Sequence, residues 1–395
     1  PPRQGRRARG RGTPYPGAME LVRIQYTAES GWSAPLPALD GPRTLVVVFG
    51  ASSFADHPGA LGELRAAYPS ARLCGCSTAG EIFGAKVRDE SLSVAIARFA
   101  RTEVAAARRP IAAASESFAT GAALAAALTR PELRAVFVLS DGLHVNGTEL
   151  ARGLTSGLPA GVVVTGGLAG DGARFARTWV LADDGAPASD QVAAVGLYGE
   201  AVEVGHGSMG GWDAFGPRRA VTRAAGNVLY ELDGRPALQL YKEYLGERAQ
   251  GLPATGLLFP LALGEDDGRK VVRTILAIDE AKDALIFAGD IPEGARAQLM
   301  KANFDRLIEG AEAAGARAGE GLGGAGPTLA LAISCVGRRL VLGVRTEEEV
   351  EATLEALGAG AEQIGFYSYG ELSPQGRGPC ELHNQTMTLT TIRER

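Results

Sequence analysis

The run Thr44-Leu45-Val46-Val47-Val48-Phe49 is short, apolar and β-branched, the composition a strand buried on both faces requires. Past Pro58 and Gly59, the residues Leu61, Leu64 and Tyr68 recur at helical spacing. The segment ARLCGCS then predicts a second strand, which completes a β-α-β unit and runs into the turn GCSTAGEI, Gly75 to Ile82. A matching series lies near the C-terminus. Thr328 to Ile333 repeats the strand opening, and EEEVEATLEAL predicts a helix with Val350, Leu354 and Leu357 on one face and acids in its first turn. Gln363-Ile364 lead into GFYSYGEL, Gly365 to Leu372. Both turns fit G-x-x-[ST]-x-G-E-[IL], and each precedes an apolar strand, SLSVAIARF or NQTMTLTTI. Strand start to first glycine spans 31 residues in one copy (44 to 75) and 37 in the other (328 to 365). The difference places a small insertion around Cys335 to Arg339. Shared order and shared turn predict an internal duplication.

Between the copies, AVFVLSDG and GVVVT predict buried strands, with a helix capped at Asn146 between them. The second strand opens into GGLAGDG, Gly166 to Gly172. QVAAVGLYG and AVEVGHGSM read as paired strands, 232–236 as a turn, 237–245 as a helix and 315–327 as a surface loop.

Length and composition add bounds. At 395 residues, two domains are expected, with hydrophobic residues at 46% and charged ones at 22%, ordinary for a globular protein. The segment PPRQGRRARGRGTPYPG holds five arginines and no acid, and is expected to be disordered. Without those five charges the net charge falls from −5 to −10, which argues against a nucleic-acid partner. No apolar run reaches the length of a membrane helix. Cys74, Cys76, Cys335 and Cys380 form neither a disulfide framework nor a CxxC pair, so a cytoplasmic location is expected.

The chemistry follows from the turns. A glycine-rich corner can present main-chain N–H groups, a hydroxyl can donate or accept, and the acid supplies one negative charge. Gly75, Ser77, Thr78, Gly80 and Glu81, with Tyr367, Ser368, Tyr369, Gly370 and Glu371, are therefore candidate binding residues for a small zwitterion. Gly166, Gly167 and Asp171 of GGLAGDG join them, as do His383 and Asn384. The bland alternative is a pair of bends whose glutamates bind their own backbone. Cys335, Cys380 and His383 are the candidates for nucleophilic chemistry, although Cys380 and His383 lie three apart and face opposite sides of a strand. Gly321 to Gly326 matches G-x-G-x-x-G but follows a helix and precedes a strand, the reverse of a dinucleotide site. Neither cofactor nor metal is expected.

GCSTAGEI, GGLAGDG, RAVTRAAGNVLYELDGRPALQLYKEYLG, CVGRR and GFYSYGEL…ELHNQTMTLT together resemble the FIST family, named for F-box and intracellular signal transduction proteins. The likeness runs from about Thr44 to Ile392. It implies a sensory module with an N-terminal and a C-terminal FIST domain, binding a small ligand such as an amino acid. No output domain is recognisable, so a separate signalling partner is implied. The expected fold is α/β (α+β), two related domains of mixed sheet with packed helices, in the manner of a layered α/β/β/α sandwich. Boundaries are set at 1–20 for the tail, 40–230 for the first domain and 231–392 for the second. An adaptor without a metabolite, and a Cys/His hydrolase or transferase, are the alternative functions.

Overall fold

The β-branched runs become strands buried on both faces. The computed structural model describes residues 18–183, 186–264, 270–320, 322, 326–376 and 378–395. The basic segment 1–17 and most of Gly321–Gly326 lie outside the described residues. Among those described, the fold is α/β with mixed sheets, as expected, and the repeat occurs three times rather than twice. Each copy has a parallel strand pair joined through a helix. Thr44–Gly50 pairs with Arg72–Ser77 across Gly59–Ala67, and Leu133–Ser140 with Val163–Leu168 across Gly147–Gly157. Thr328–Cys335 pairs with Ala361–Ser368 across Val336–Leu342 and Thr346–Leu357, so the insertion around Cys335 is a short helix.

An antiparallel strand flanks each pair: Ser91–Arg98, Gln191–Tyr198 or Met387–Glu394. A further strand lies outside it, and in the first copy this is Glu20–Thr27, which the sequence pattern did not reveal. The strand that leaves each turn joins a neighbouring copy. Glu81–Phe83 pairs with Ala361–Ser368, Gly370–Pro374 with Val163–Leu168, and Val180–Leu181 with Arg72–Ser77. The exchange closes a ring of three six-stranded sheets.

Alternation along the strands specifies the layering. Leu45, Val47 and Phe49, Phe137 and Leu139, and Leu329, Leu331 and Ile333 meet in one core shared by all three sheets. The intervening residues face outward to helices. Val46 and Val48 cover Leu61 and Leu64, while Val136 and Val138 cover Leu150 and Leu154. Each such side chain stabilises the fold by about 1.5–3 kcal/mol on burial.

A fourth sheet is built within residues 213–301, with its own core of Leu229, Leu238, Tyr241 and Phe287 around the helix Ala237–Leu245. Two expectations are corrected. Gln191–Tyr198 and Val202–Met209 do not pair with each other, because the second is taken by Met387–Glu394 of the third sheet. The segment 315–319 is not loop, because the helix Phe304–Gly319 continues through it, burying Gly315 and Ala318.

Candidate functional site

The three turns interlock where the sheets meet. Ala79 N donates to Tyr367 O at 2.7 Å, and Tyr367 N donates to Gly80 O at 2.9 Å. Gly170 N donates to Ser77 O at 2.9 Å, and Tyr369 N donates to Leu168 O at 3.1 Å. The first glycine of each motif sits within a strand rather than in the bend. A Cβ on Gly75 would lie 2.4 Å from Val48 O, on Gly166 1.8 Å from Val138 O, and on Gly365 1.8 Å from Ala332 O. Parallel strands in these three places approach too closely for any side chain. Gly80, at φ +132°, makes the actual bend in the first turn.

The two glutamates occupy matching environments. Thr78 Oγ1 donates to Glu81 Oε1, while Ser91 N and Oγ reach Oε2 at 3.0 and 2.9 Å. Ser368 Oγ donates to Glu371 Oε1 at 2.7 Å, while Thr386 N and Oγ1 reach Oε2 at 3.2 and 2.9 Å. Burial pushes both acids up to about 8, and the hydrogen bonds only partly oppose it. At neutral pH both are therefore mostly protonated. Ser77 and Thr78 are likewise buried.

The second turn is one residue shorter and carries Ala169 where the others carry a hydroxyl. Its acid, Asp171, instead accepts from Tyr369 Oη of the third turn and from the backbone N–H groups of Phe175, Ala176 and Arg177, each at 2.9 Å. Burial alone would raise this carboxyl, but the four donors outweigh it and hold it below the usual range. Gly167 packs under Ile333 and Phe366, and Gly370 under Leu382.

The remaining candidates lie at the end of the strand Thr328–Cys335 and on or just past the strand Cys380–His383. His383 is buried with Nε2 2.9 Å from Ser373 O, and desolvation lowers it to about 4. Burial raises the Cys335 thiol to about 12 and pushes Cys380 up as well, which opposes thiolate formation in both. Next to His383, the carboxamides of Asn384 and Gln385 are fully buried, and none of their four polar atoms has a hydrogen-bond partner. Gln385, at φ +60°, lies against Gly337, where a Cβ would meet its Nε2 at 2.4 Å.

Gly337 lines a cavity of about 410 Å³ between the second and third turns and the inserted sheet. Tyr369, Cys335 and Thr274 also line it, and the ring of Phe175 stacks on Tyr369 at 4.2 Å. Thr274 Oγ1 is buried and has no partner either. Phe175, Leu276 and Leu340 line the same cavity and remain 45–49% exposed. Thus the structure brings Tyr369 and Cys335 to a cavity and sets Asp171, bonded to Tyr369, behind it. Glu81, Glu371 and Ser368 are not in its lining. Sequence reasoning missed Phe175, Thr274, Leu276 and Gly337. Only the insertion at Cys335–Arg339 marked one of them.

Behind this wall lies a strut. Arg338 and Glu349 are both fully buried, with Nη2 and Nε 2.8 and 2.9 Å from one carboxylate oxygen. Ser334 Oγ and Tyr367 Oη donate to the other oxygen at 3.1 and 2.7 Å. Arg338 also donates to Leu307 O at 2.8 Å. The pair ties the third turn to the helix Thr346–Leu357.

Residues 44–235 match the FIST N domain and residues 237–374 the FIST C domain. An uncharacterized protein of Mycobacterium tuberculosis is 28% identical over 64% of this chain and 66% of its own length. An uncharacterized protein of Methanocaldococcus jannaschii is 32% identical over 22% of this chain and 20% of its own. The chain therefore spans a fifth to just under two thirds of these relatives. Cyanuric acid hydrolase from A. caulinodans aligns with 95% of this chain and 99% of its own, at 13% identity and a TM-score of 0.35, a likeness too weak to carry a conclusion.

Proposed function

Because the chain belongs to the FIST family, whose domains are sensory and signal-transduction modules, we propose that it is a cytoplasmic sensor. It binds a small polar metabolite such as an amino acid in the cavity between the turns and the inserted sheet, and it acts through a separate partner protein. The observation that carries this reading is buried polar atoms without partners at that cavity: Thr274 Oγ1 in its wall, and the Gln385 carboxamide directly behind the lining residue Gly337. Each such group costs about 1–3 kcal/mol while unsatisfied, so a ligand whose polar end reaches them gains that much over water-exposed sites. The apolar walls suit a side chain, which favours amino acids with apolar side chains among polar metabolites.

The output follows from position. The cavity lies between the ring of three sheets and the inserted sheet, so a ligand held by both favours one arrangement of the two. The exposed Phe175, Leu276 and Leu340 at its walls give a partner an apolar surface to read. Among the described residues no helix is long and apolar enough to cross a membrane.

The experiment is a thermal-shift and calorimetric screen of amino acids on the parent and on Leu340→Trp, which fills the cavity. A hit should stabilise the parent as RT ln(1 + [L]/Kd) and leave Leu340→Trp unmoved. If no amino acid or small polar metabolite shifts the parent, or if the variant binds equally well, the cavity is not the sensory site.

A further inference from the structure

Arg273, next in the chain to the Thr274 of that cavity, lines a larger one, of about 780 Å³. It is bounded by the helix Gly147–Gly157, the strand Cys380–His383 and the inserted sheet. Arg152, Lys270, Arg273 and Arg296 line it, against the carboxylates of Glu293 and Glu381. Arg152 is already paired with Glu149, so three cations face two anions, a local excess of positive charge in a chain whose net charge is −5.

Arg273 sets this cavity apart. It is 5% exposed, and its Nε and Nη1 donate to the carbonyls of Asp290 and Leu382 at 3.2 and 2.9 Å. Among the described residues no carboxylate lies within ion-pair distance of it. The other buried arginines are matched: Arg338 by Glu349 at 2.8 Å, and Arg393 by Glu203 at 2.6 Å. Asp290 and Glu381 act on it through space, but neither pairs with it directly, and a buried guanidinium without a direct ion-pair partner carries a desolvation cost that an arriving anion offsets. Desolvation lowers Arg273 only to about 10, so it stays charged at neutral pH.

We propose that this second cavity binds a small organic anion, its carboxylate or phosphate paired with Arg273 and its apolar body lying against Ala151, Leu263, Val271 and Leu382. Lys270 and Arg296 are exposed, so they steer the anion toward the cavity rather than hold it. The site is separate from the one assigned above: neither Tyr369 nor Gly337 borders it, and its occupancy does not depend on that reading.

The test titrates the full chain by calorimetry with sodium octanoate, phenyl phosphate and uncharged octanamide. At least one anion should bind roughly tenfold or more tightly than octanamide, the gain expected of a charge-assisted pair. A preference for octanoate assigns a carboxylate ligand, and a preference for phenyl phosphate assigns a phosphate. Arg273→Gln should remove the advantage, Val271→Trp should abolish binding, and Leu340→Trp should leave it unchanged. Should Arg273→Gln fail to fold, the surface pair Lys270→Glu and Arg296→Glu should weaken the anion about threefold or more and flatten its salt dependence. The proposal is overturned if neither anion binds at millimolar concentration, if octanamide binds as well as both, or if the charge variants bind like the parent.

Discussion

The paired glutamates predict that the protein loses stability on going from mildly acidic to mildly basic pH. Glu81 and Glu371 titrate near 4.5 when unfolded and near 8 when folded, because burial disfavours the carboxylate. Between those values the folded chain binds more protons than the unfolded one, so stability is fully present below pH 4.5 and falls as pH rises through 8. Each acid contributes about 1.4 kcal/mol per pH unit over that window, and the two together about 3. His383 works in the opposite sense: it is near 4 folded and 6.5 unfolded, so its penalty fades as pH climbs to 6.5 and then ends. The clean interval is therefore pH 6.5 to 8, where the two glutamates should cost up to about 4 kcal/mol. Urea unfolding followed by tryptophan fluorescence, with Trp179 buried and its backbone N–H donating to Ser77 Oγ beside the first turn, reads this directly. Glutamine keeps the acid's shape and can donate to Thr78 or Ser368 while accepting from Ser91 or Thr386. Glu81→Gln with Glu371→Gln should therefore match the parent only below pH 4.5, already exceed it at pH 6.5, gain about 3 kcal/mol more on it by pH 8, and show no slope of its own between. A parent that is flat across the interval, or a double variant that is weaker at both ends, would refute the assignment of neutral buried acids.

Arg338→Met should cost about 3–5 kcal/mol by leaving Glu349 charged and buried, and Glu349→Leu on the same background should recover part of it, both by denaturant unfolding. Gly166→Ala should be at least as damaging by the same assay, since its Cβ would sit 1.8 Å from Val138 O at φ +152°, whereas Gly62→Ala, in open helical surroundings, should stabilise by about 1 kcal/mol. Gly337→Ala would press on Gln385 Nε2 from 2.4 Å, and the ligand-induced shift in Tm should vanish while the pH dependence stays intact. Iodoacetamide at neutral pH should leave Cys335 and Cys380 unmodified until the chain is unfolded, as read by mass spectrometry.

Much of the scaffold was legible because strand burial writes itself as uninterrupted apolar runs, and helices as one-sided periodicity. Thr44–Gly50, Ala237–Leu245 and the Asn146 cap, which accepts from Glu149 N at 3.1 Å, lie where pattern and capping rules put them. Strand partners were not legible. A pattern of alternation says which face of Val202–Met209 is buried, but the partner strand, Met387–Glu394, lies about 185 residues away. The cavity walls were equally silent. Phe175 lies in a loop, Leu276 in the strand Ile275–Asp279 and Leu340 in the helix Val336–Leu342, and nothing in their neighbourhood separates a cavity wall from an ordinary exposed side chain.

The third copy of the turn was hidden for a chemical reason. An eight-residue template needs the hydroxyl at its fourth position, and the middle turn has Ala169 there, one residue fewer, and aspartate for glutamate. Those three changes compensate one another. A shorter loop brings the acid closer to the backbone, and the shorter side chain then fits among the N–H groups of residues 175–177. The missing hydroxyl is replaced by Tyr369 Oη of the next turn, which donates to Asp171. Charge follows the same division: two acids held neutral by burial against the pull of their hydroxyl donors, and one kept ionised by Tyr369 and backbone donors. The charged member is the one whose partner, Tyr369, lines a cavity. A ring of three like corners thereby acquires one unlike corner, and a ligand that shifts Tyr369 acts on Asp171 and on the backbone of 175–177 together. All three turns close the ring, and the departure of the second from the other two sets its acid against a tyrosine that lines a cavity.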